Sequence, residues 1–155
     1  MEPNTPVSIR IDLATDHELY VRLYVARSRD TPVSILIALA TDPDQTVRSS
    51  VAENSIAPVD ILTALAADGV ERVRWKVAEN ANTPMSILTG LATDQSDGVR
   101  LRAARHPSAR ADILASLAIA DPESEVRRAA SANPSLTLQA LKNAIGPSFI
   151  AGDRL

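Results

Sequence analysis

The sequence predicts an all-α solenoid built from 26-residue repeats, and three recurring signals carry that prediction. Proline stands at Pro6, Pro32, Pro58 and Pro84, a spacing of 26. Leu-Ala recurs at Leu13-Ala14, Leu39-Ala40, Leu65-Ala66, Leu91-Ala92 and Leu117-Ala118. Val-Arg recurs at Val21-Arg22, Val47-Arg48, Val73-Arg74, Val99-Arg100 and Val126-Arg127. The last Val-Arg falls one residue late, which places an insertion in the fifth unit near Ile119-Ala120. Arg110 holds the proline slot of that unit, yet Asp112-Ile113-Leu114 keeps the register of Asp60-Ile61-Leu62. A sixth, partial unit begins at Asn133-Pro134 and fades after Leu141. Self-similarity at a fixed period of this length is the mark of repeat architectures.

Each unit reads as two short helices. The first opens with Thr-Pro: Thr31 is expected to act as N-cap and Pro32 to stand at the first helical position, where its missing N–H is no loss. Thr5-Pro6 and Thr83-Pro84 repeat this device, and Ala57-Pro58 keeps the proline. Ile35, Leu36, Leu39 and Ala40 then form one apolar stripe. Asp42-Pro43-Asp44-Gln45 resembles a capping box that opens the second helix. Val47, Val51 and Ala52 make the stripe of that helix. Asn54, Asn80 and Asn133 close it, where asparagine tolerates a left-handed cap; Ser28 and His106 take the same slot in two other units. Helices of about ten residues are not stable alone in water. Each must bury its stripe against the neighbouring unit, which is solenoid logic. At an interaxial spacing of roughly 8–10 Å, five units would form a rod about 40–50 Å long. The domain is expected to span 1–144, with 145–155 as a C-terminal tail.

Composition narrows the function classes. The chain has 155 residues, a net charge of −3 and 3% aromatic residues, so the core must be aliphatic and nothing pulls the whole molecule toward nucleic acid or acidic membranes. Cysteine is absent, which excludes disulfides, thiolate metal sites and thiol chemistry. No apolar run reaches membrane-spanning length, and no charged-then-apolar leader opens the chain. A soluble, cytoplasmic protein that needs neither a membrane nor a cofactor is the expectation.

The stretch Val47 to Asp68, VRSSVAENSIAPVDILTALAAD, resembles the leucine-rich repeat variant family. Units of that family read approximately V-R-x-x-V-A-x-N-P-x-T-P-x-x-L-L-x-x-L-A-x-D. The resemblance covers about residues 4–142. It implies a right-handed solenoid of alternating α- and 3₁₀-helices, distinct from the strand-bearing leucine-rich repeats, and no single activity. The 26-residue unit is slightly longer than is usual in the family, which leaves both 3₁₀ and full α-helix open for the shorter segment. The cysteine-ligated iron–sulfur module of some members does not carry over to a chain without cysteine. The unit is also similar to HEAT repeats, because every Val-Arg follows an aspartate at one interval.

Those aspartate–arginine pairs are Asp16 and Arg22, Asp42 and Arg48, Asp68 and Arg74, Asp94 and Arg100, Asp121 and Arg127, each six apart. Rows of arginine can grip phosphates. Here each arginine follows a core valine and has a carboxylate at constant offset, so a structural ladder of Arg–carboxylate links, within or between units, is the stronger reading. Arg74→Ala is then expected to lower the thermal midpoint, at a cost of about 3–5 kcal/mol if a buried pair is broken.

Comparison among the units picks out a candidate binding face. Outward slots of the first helix are bland: Ser34, Ile37, Ala38 and Thr41 in one unit, Ser86, Thr89, Gly90 and Thr93 in another. Those of the second helix vary: Tyr20, Leu23, Tyr24, Arg27; Thr46, Ser49, Ser50, Glu53; Arg72, Trp75, Lys76, Glu79; Gly98, Leu101, Arg102, Arg105. Trp, Tyr and Arg dominate binding hot spots. The face is therefore read as a protein-binding surface centred on Trp75 and Leu101, with Arg72, Lys76, Arg102 and Arg105 beside them and an extension to Tyr20 and Tyr24. The competing reading packs Trp75 onto the neighbouring unit and uses the tyrosines to shield the N-terminal end. Arg72, Lys76, Arg102, Arg105 and Arg128 could instead hold nucleic acid, but Glu71, Glu79, Asp97, Glu123 and Glu125 interleave with them.

Catalysis has little support. His17 reads as solvated and His106 as a helix-end residue; no paired-histidine metal spacing, glycine-rich phosphate loop or nucleophile elbow occurs. At the ends, Arg10 and Asp12 give the first unit a polar outer surface, and Ser135 to Leu141 reads as a last helix covering unit five. Phe149 and Ile150 could dock on that helix or on another molecule, so end-to-end self-association is a further expectation. The whole reading is a non-enzymatic scaffold for an unidentified protein partner, with nucleic acid as the alternative.

Overall fold

The structure, a computed structural model, describes residues 12–146. After a short helical stretch at 12–14 come ten α-helices, and no strand occurs among the described residues. They alternate in kind. The long helices, nine residues each with Val-Arg near the start, are α1 (Leu19–Arg27), α3 (Gln45–Glu53), α5 (Glu71–Glu79), α7 (Asp97–Arg105) and α9 (Ser124–Ala132). Between them lie α2 (Val33–Leu39), α4 (Val59–Leu65) and α6 (Met85–Leu91), short helices of seven residues, and their counterparts α8 (Ala111–Ala120), lengthened to ten, and α10 (Leu138–Ile145), of eight. The segments left open between 3₁₀ and α are α-helical.

The helices group into two compact units, Met1–Thr83 and Pro84–Leu155. In the first, α3 packs between α1 and α5, while α2 and α4 bridge successive long helices. Val47, Val51, Ala52, Val73, Val77 and Ala78 have no exposed surface, and neither do Leu36 and Leu62 of the short helices. In the second unit, α9 packs against α7 and α8, and α10 covers α8. Val99, Ala104, Leu114, Ala115 and Ala130 are fully buried there. Aliphatic burial of about 1.5–3 kcal/mol per Val or Leu side chain stabilises helices too short to persist alone. Val21, first in its series, is half-buried, whereas Val126 is 1% exposed.

Local capping differs from the sequence expectation in four ways. Proline is the N-cap, not the first helical residue: α2 starts at Val33, and the Pro32 carbonyl accepts the Leu36 N–H at 3.1 Å. Thr31 does not cap α2. Its buried hydroxyl turns back and donates to the Val25 carbonyl at 2.7 Å, as Thr83 does to Val77 at 2.6 Å. That carbonyl belongs to the last turn of the preceding long helix, where acceptors lack intrahelical donors. The box at 42–45 is absent too. Asp44 is the N-cap of α3 and accepts from the Thr46 N–H at 2.7 Å, while Asp42 accepts from the Asp44 N–H at 2.8 Å.

The fourth correction concerns asparagine. Asn54, Asn80 and Asn133 have φ of −68°, −70° and −72°, so none is left-handed. Their value lies in the side-chain amide. Asn54 Nδ2 donates to the carbonyls of Ala26 and Ser28, at 2.8 and 3.0 Å, and Oδ1 accepts from the Ile56 N–H. Asn80 repeats this with Ala52, Asn54 and Asn82. Asn133 does so with Ala104, His106 and Ser135. One buried amide thereby serves the open end of the previous long helix and shapes its own loop. His106 fills the same slot with an imidazole whose Nδ1 accepts from the Ser108 N–H at 3.1 Å, in place of the amide oxygen.

Candidate functional site

The recurring arginines lie near the N-termini of the long helices and reach in two directions. Arg48 Nη1 donates to the carbonyls of Asp42 and Pro43, at 2.8 and 3.2 Å. Its Nε and Nη2 grip the Asp68 carboxylate at 2.7 and 3.1 Å. Arg22 repeats this with the carbonyls of Asp16 and His17 and the carboxylate of Asp42. Arg100 does the same with the carbonyls of Asp94 and Gln95 and the carboxylate of Asp121. The aspartate six residues earlier thus supplies its backbone oxygen, and the carboxylate comes from the unit that follows. These two-point links are largely shielded, with side-chain exposures of 15% and 5% for Arg22 and Asp42. The Arg48 hydrogen bond holds the Asp68 carboxyl below its ordinary range, against the opposing effect of burial. Arg74 is buried and donates to the Asp68 carbonyl at 2.9 Å. Arg127 donates to the carbonyls of Asp121 and Pro122.

Long helices side by side also set the candidate binding face. On the first unit, Tyr20 and Tyr24 stand one turn apart on α1 with 80% and 51% of their surface exposed. Leu23 is buried, as are Ser49 and Ser50 on α3, so these three slots do not face outward as the pattern suggested. The stripe of α1 and α3 is wider than the valines alone indicate. Ser50 Oγ donates to the Thr46 carbonyl and accepts from Arg27 Nε. On α5, Arg72 is exposed, while Trp75 and Lys76 are half-buried. Lys76 Nζ bonds Glu53 at 3.0 Å and Glu79 at 3.2 Å. Burial works against its charge, but those two carboxylates raise its pKa overall. Its ammonium is therefore committed within the face and is poorly placed to meet a phosphate.

On the second unit, Leu101 and Arg102 of α7 are half-buried and Arg105 is exposed. Arg105 borders a cleft of ≈ 390 Å³ with Glu125, Arg128, Ala129 and Ala132 of α9. Arg128 and Glu125 lie 3.9 Å apart, both well exposed. The short helices show a feature the sequence reading passed over. Val33 and Val59 in the first unit are 44% and 50% exposed, and Met85 in the second is 50% exposed. Each is the first residue of its helix, directly after proline, a position whose apolar recurrence is visible in the sequence. His17 is exposed and His106 buried. Among the described residues no cluster of three His, Cys, Asp or Glu side chains could hold a metal, and no helix is long and apolar enough to cross a membrane. Asp12 is exposed, whereas Arg10, Phe149 and Ile150 lie outside the described residues.

Two kinds of helix in alternation, with side chains linking one repeat to the next, define an α-helical repeat protein. Among solved structures the chain is similar to one described as "a leucine-rich repeat variant with a novel repetitive protein structural motif", at 28% identity over 92% of this chain and 67% of that chain, with a TM-score of 0.43. No protein-family model and no curated protein matches it.

Proposed function

We propose that the protein is a non-catalytic scaffold that binds another protein through the outer sides of its long helices, with Tyr20, Tyr24, Arg72, Trp75 and Lys76 as contact residues on the first unit and Leu101, Arg102 and Arg105 on the second. The observation that supports this most is the exposure of Tyr20 and Tyr24 on a helix that buries Leu23, Val25 and Ala26. Fold stability does not require exposed aromatics one turn apart, and tyrosine offers large contact area for little entropy. Lys76, with its charge held by two glutamates, would contribute its apolar stem. Acidic side chains beside the arginines favour a protein surface over a phosphate backbone.

The test is affinity capture with the full chain, comparing wild type with Tyr20→Ala/Tyr24→Ala and with Trp75→Ala/Leu101→Ala, each first checked for native helix content and thermal midpoint. Loss of the same protein partner from either well-folded variant is the expected result. Unchanged recovery from both would remove the face from consideration. Recovery of nucleic acid alone, with steep salt dependence, would favour the other reading.

A further inference from the structure

Arg127 differs from Arg22, Arg48 and Arg100 in what its guanidinium meets. Its Nη1 donates to the carbonyls of Asp121 and Pro122, the same pair of positions that fixes Nη1 in Arg22, Arg48 and Arg100. In those three arginines the opposite edge, Nε and Nη2, holds a carboxylate through two bonds of 2.7–3.2 Å. Among the described residues no carboxylate meets that edge of Arg127. The aspartate that serves Arg22 or Arg48 comes 20 residues later, and the corresponding position here is Pro147.

We propose that the Nε/Nη2 edge of Arg127 is a binding site for a carboxylate. The molecule itself shows three times what this edge accepts when its neighbouring nitrogen is anchored. A planar fork of two N–H donors matches the two oxygens of a carboxylate and no other common side-chain group as well. Anchoring by two backbone carbonyls has already removed much of the rotational freedom that a free arginine would lose on binding, so the site is pre-organised. Half-burial of Arg127 shields the interaction from water while leaving it reachable. The shared chemistry is a carboxylate, and its source is either this chain, whose sequence carries Asp153 beyond α10, or a separate molecule. This site is distinct from the long-helix face, and neither inference depends on the other.

Side-chain NMR of the full chain tests it, with the Nε–H signals of Arg22, Arg48 and Arg100 as internal references for a carboxylate-bound guanidinium. The Arg127 signal is expected to share their slow solvent exchange and shift, either in the free protein or on titration with N-acetylaspartate, sodium chloride serving as the ionic control. A bound-type signal in dilute wild type that is lost in Asp153→Asn assigns the source to that side chain; one that survives there assigns it to another carboxylate of this chain. A signal that appears only as protein concentration rises assigns it to a second copy. One that appears only with N-acetylaspartate assigns it to a separate ligand. A fast-exchanging Arg127 signal under all these conditions would overturn the proposal, as would persistence in Arg127→Gln of the bound-type signal assigned to Arg127.

Discussion

At the scale of single residues, the most economical device is the buried amide of the helix-end asparagine. Asn80 Nδ2 serves two carbonyls of the preceding unit, and its Oδ1 holds its own loop. Asn80→Ala strips a partner from three buried or part-buried backbone groups at once. Unpaired groups of this kind cost about 1–3 kcal/mol each when no water reaches them. The variant is expected to lose about 2–4 kcal/mol, read as a lower midpoint in urea at unchanged slope. His106 gives the converse test. Its Nδ1 already plays the part of an amide oxygen toward Ser108, so His106→Asn should fall within about 1 kcal/mol of wild type and His106→Ala should not. Equal losses in the two variants would mean that shape, not the acceptor, fills this slot. The sequence reading found the slot through its period but assigned it a left-handed cap. The observed extended φ and the bonds to residues 26 and 28 back could not be read locally, because a side chain's distant partners are fixed only once units lie side by side.

At the scale of elements, the core stripes were legible and the caps were not. Ile35, Leu36 and Leu39 are buried where the apolar spacing put them, as are Val47, Val51 and Ala52. Hydrophobic periodicity reports burial directly. Capping depends on which of several nearby backbone groups a hydroxyl or carboxylate reaches: the N-cap lies one position past Thr31, at Pro32, and two positions past Asp42, at Asp44. The ladder was half legible. A six-residue offset marked Asp42 and Arg48 as related, yet Arg48 takes its carboxylate from Asp68. Leu62, fully buried on α4, tests the element itself. Leu62→Ala is expected to cost about 2–5 kcal/mol. The exposed Val59→Ala on the same seven-residue helix should cost under about 0.5 kcal/mol. Similar thermal midpoints for the two variants would show that α4 is not held by that stripe.

At the scale of the whole molecule, the ladder predicts a direction for acid unfolding. Arg48 holds the Asp68 carboxyl below its ordinary value of 3.8. Thr46 does the same for Asp44. For Asp121, burial acts the other way, but the Arg100 bond and the Glu123 N–H leave it lowered as well. Carboxyls depressed in the folded state bind fewer protons there than in the unfolded chain. Their stabilisation is complete above the unfolded value and is lost as pH falls through the lower folded values. Unfolding free energy is therefore expected to be level near neutrality and to drop below pH 3.8, more steeply in wild type than in Asp68→Asn. A wild-type profile that stayed flat through that range would contradict the pairing.

The lengthened helix α8 bears on how such a chain can change over time. After α2, α4 and α6, each ending at a leucine, the ladder aspartate follows three residues later, closing on an i−3 bond such as Asp42 N–H to Leu39 at 3.2 Å. In α8 the extra residue turns that tight closure into a regular helical one, with the Asp121 N–H reaching Leu117, four back. Arg100 still grips Asp121, now 21 residues away. This joint tolerates a change in chain length without losing its clasp to the previous block. It is a natural place for codons to be gained or lost, and for an engineer to graft a loop.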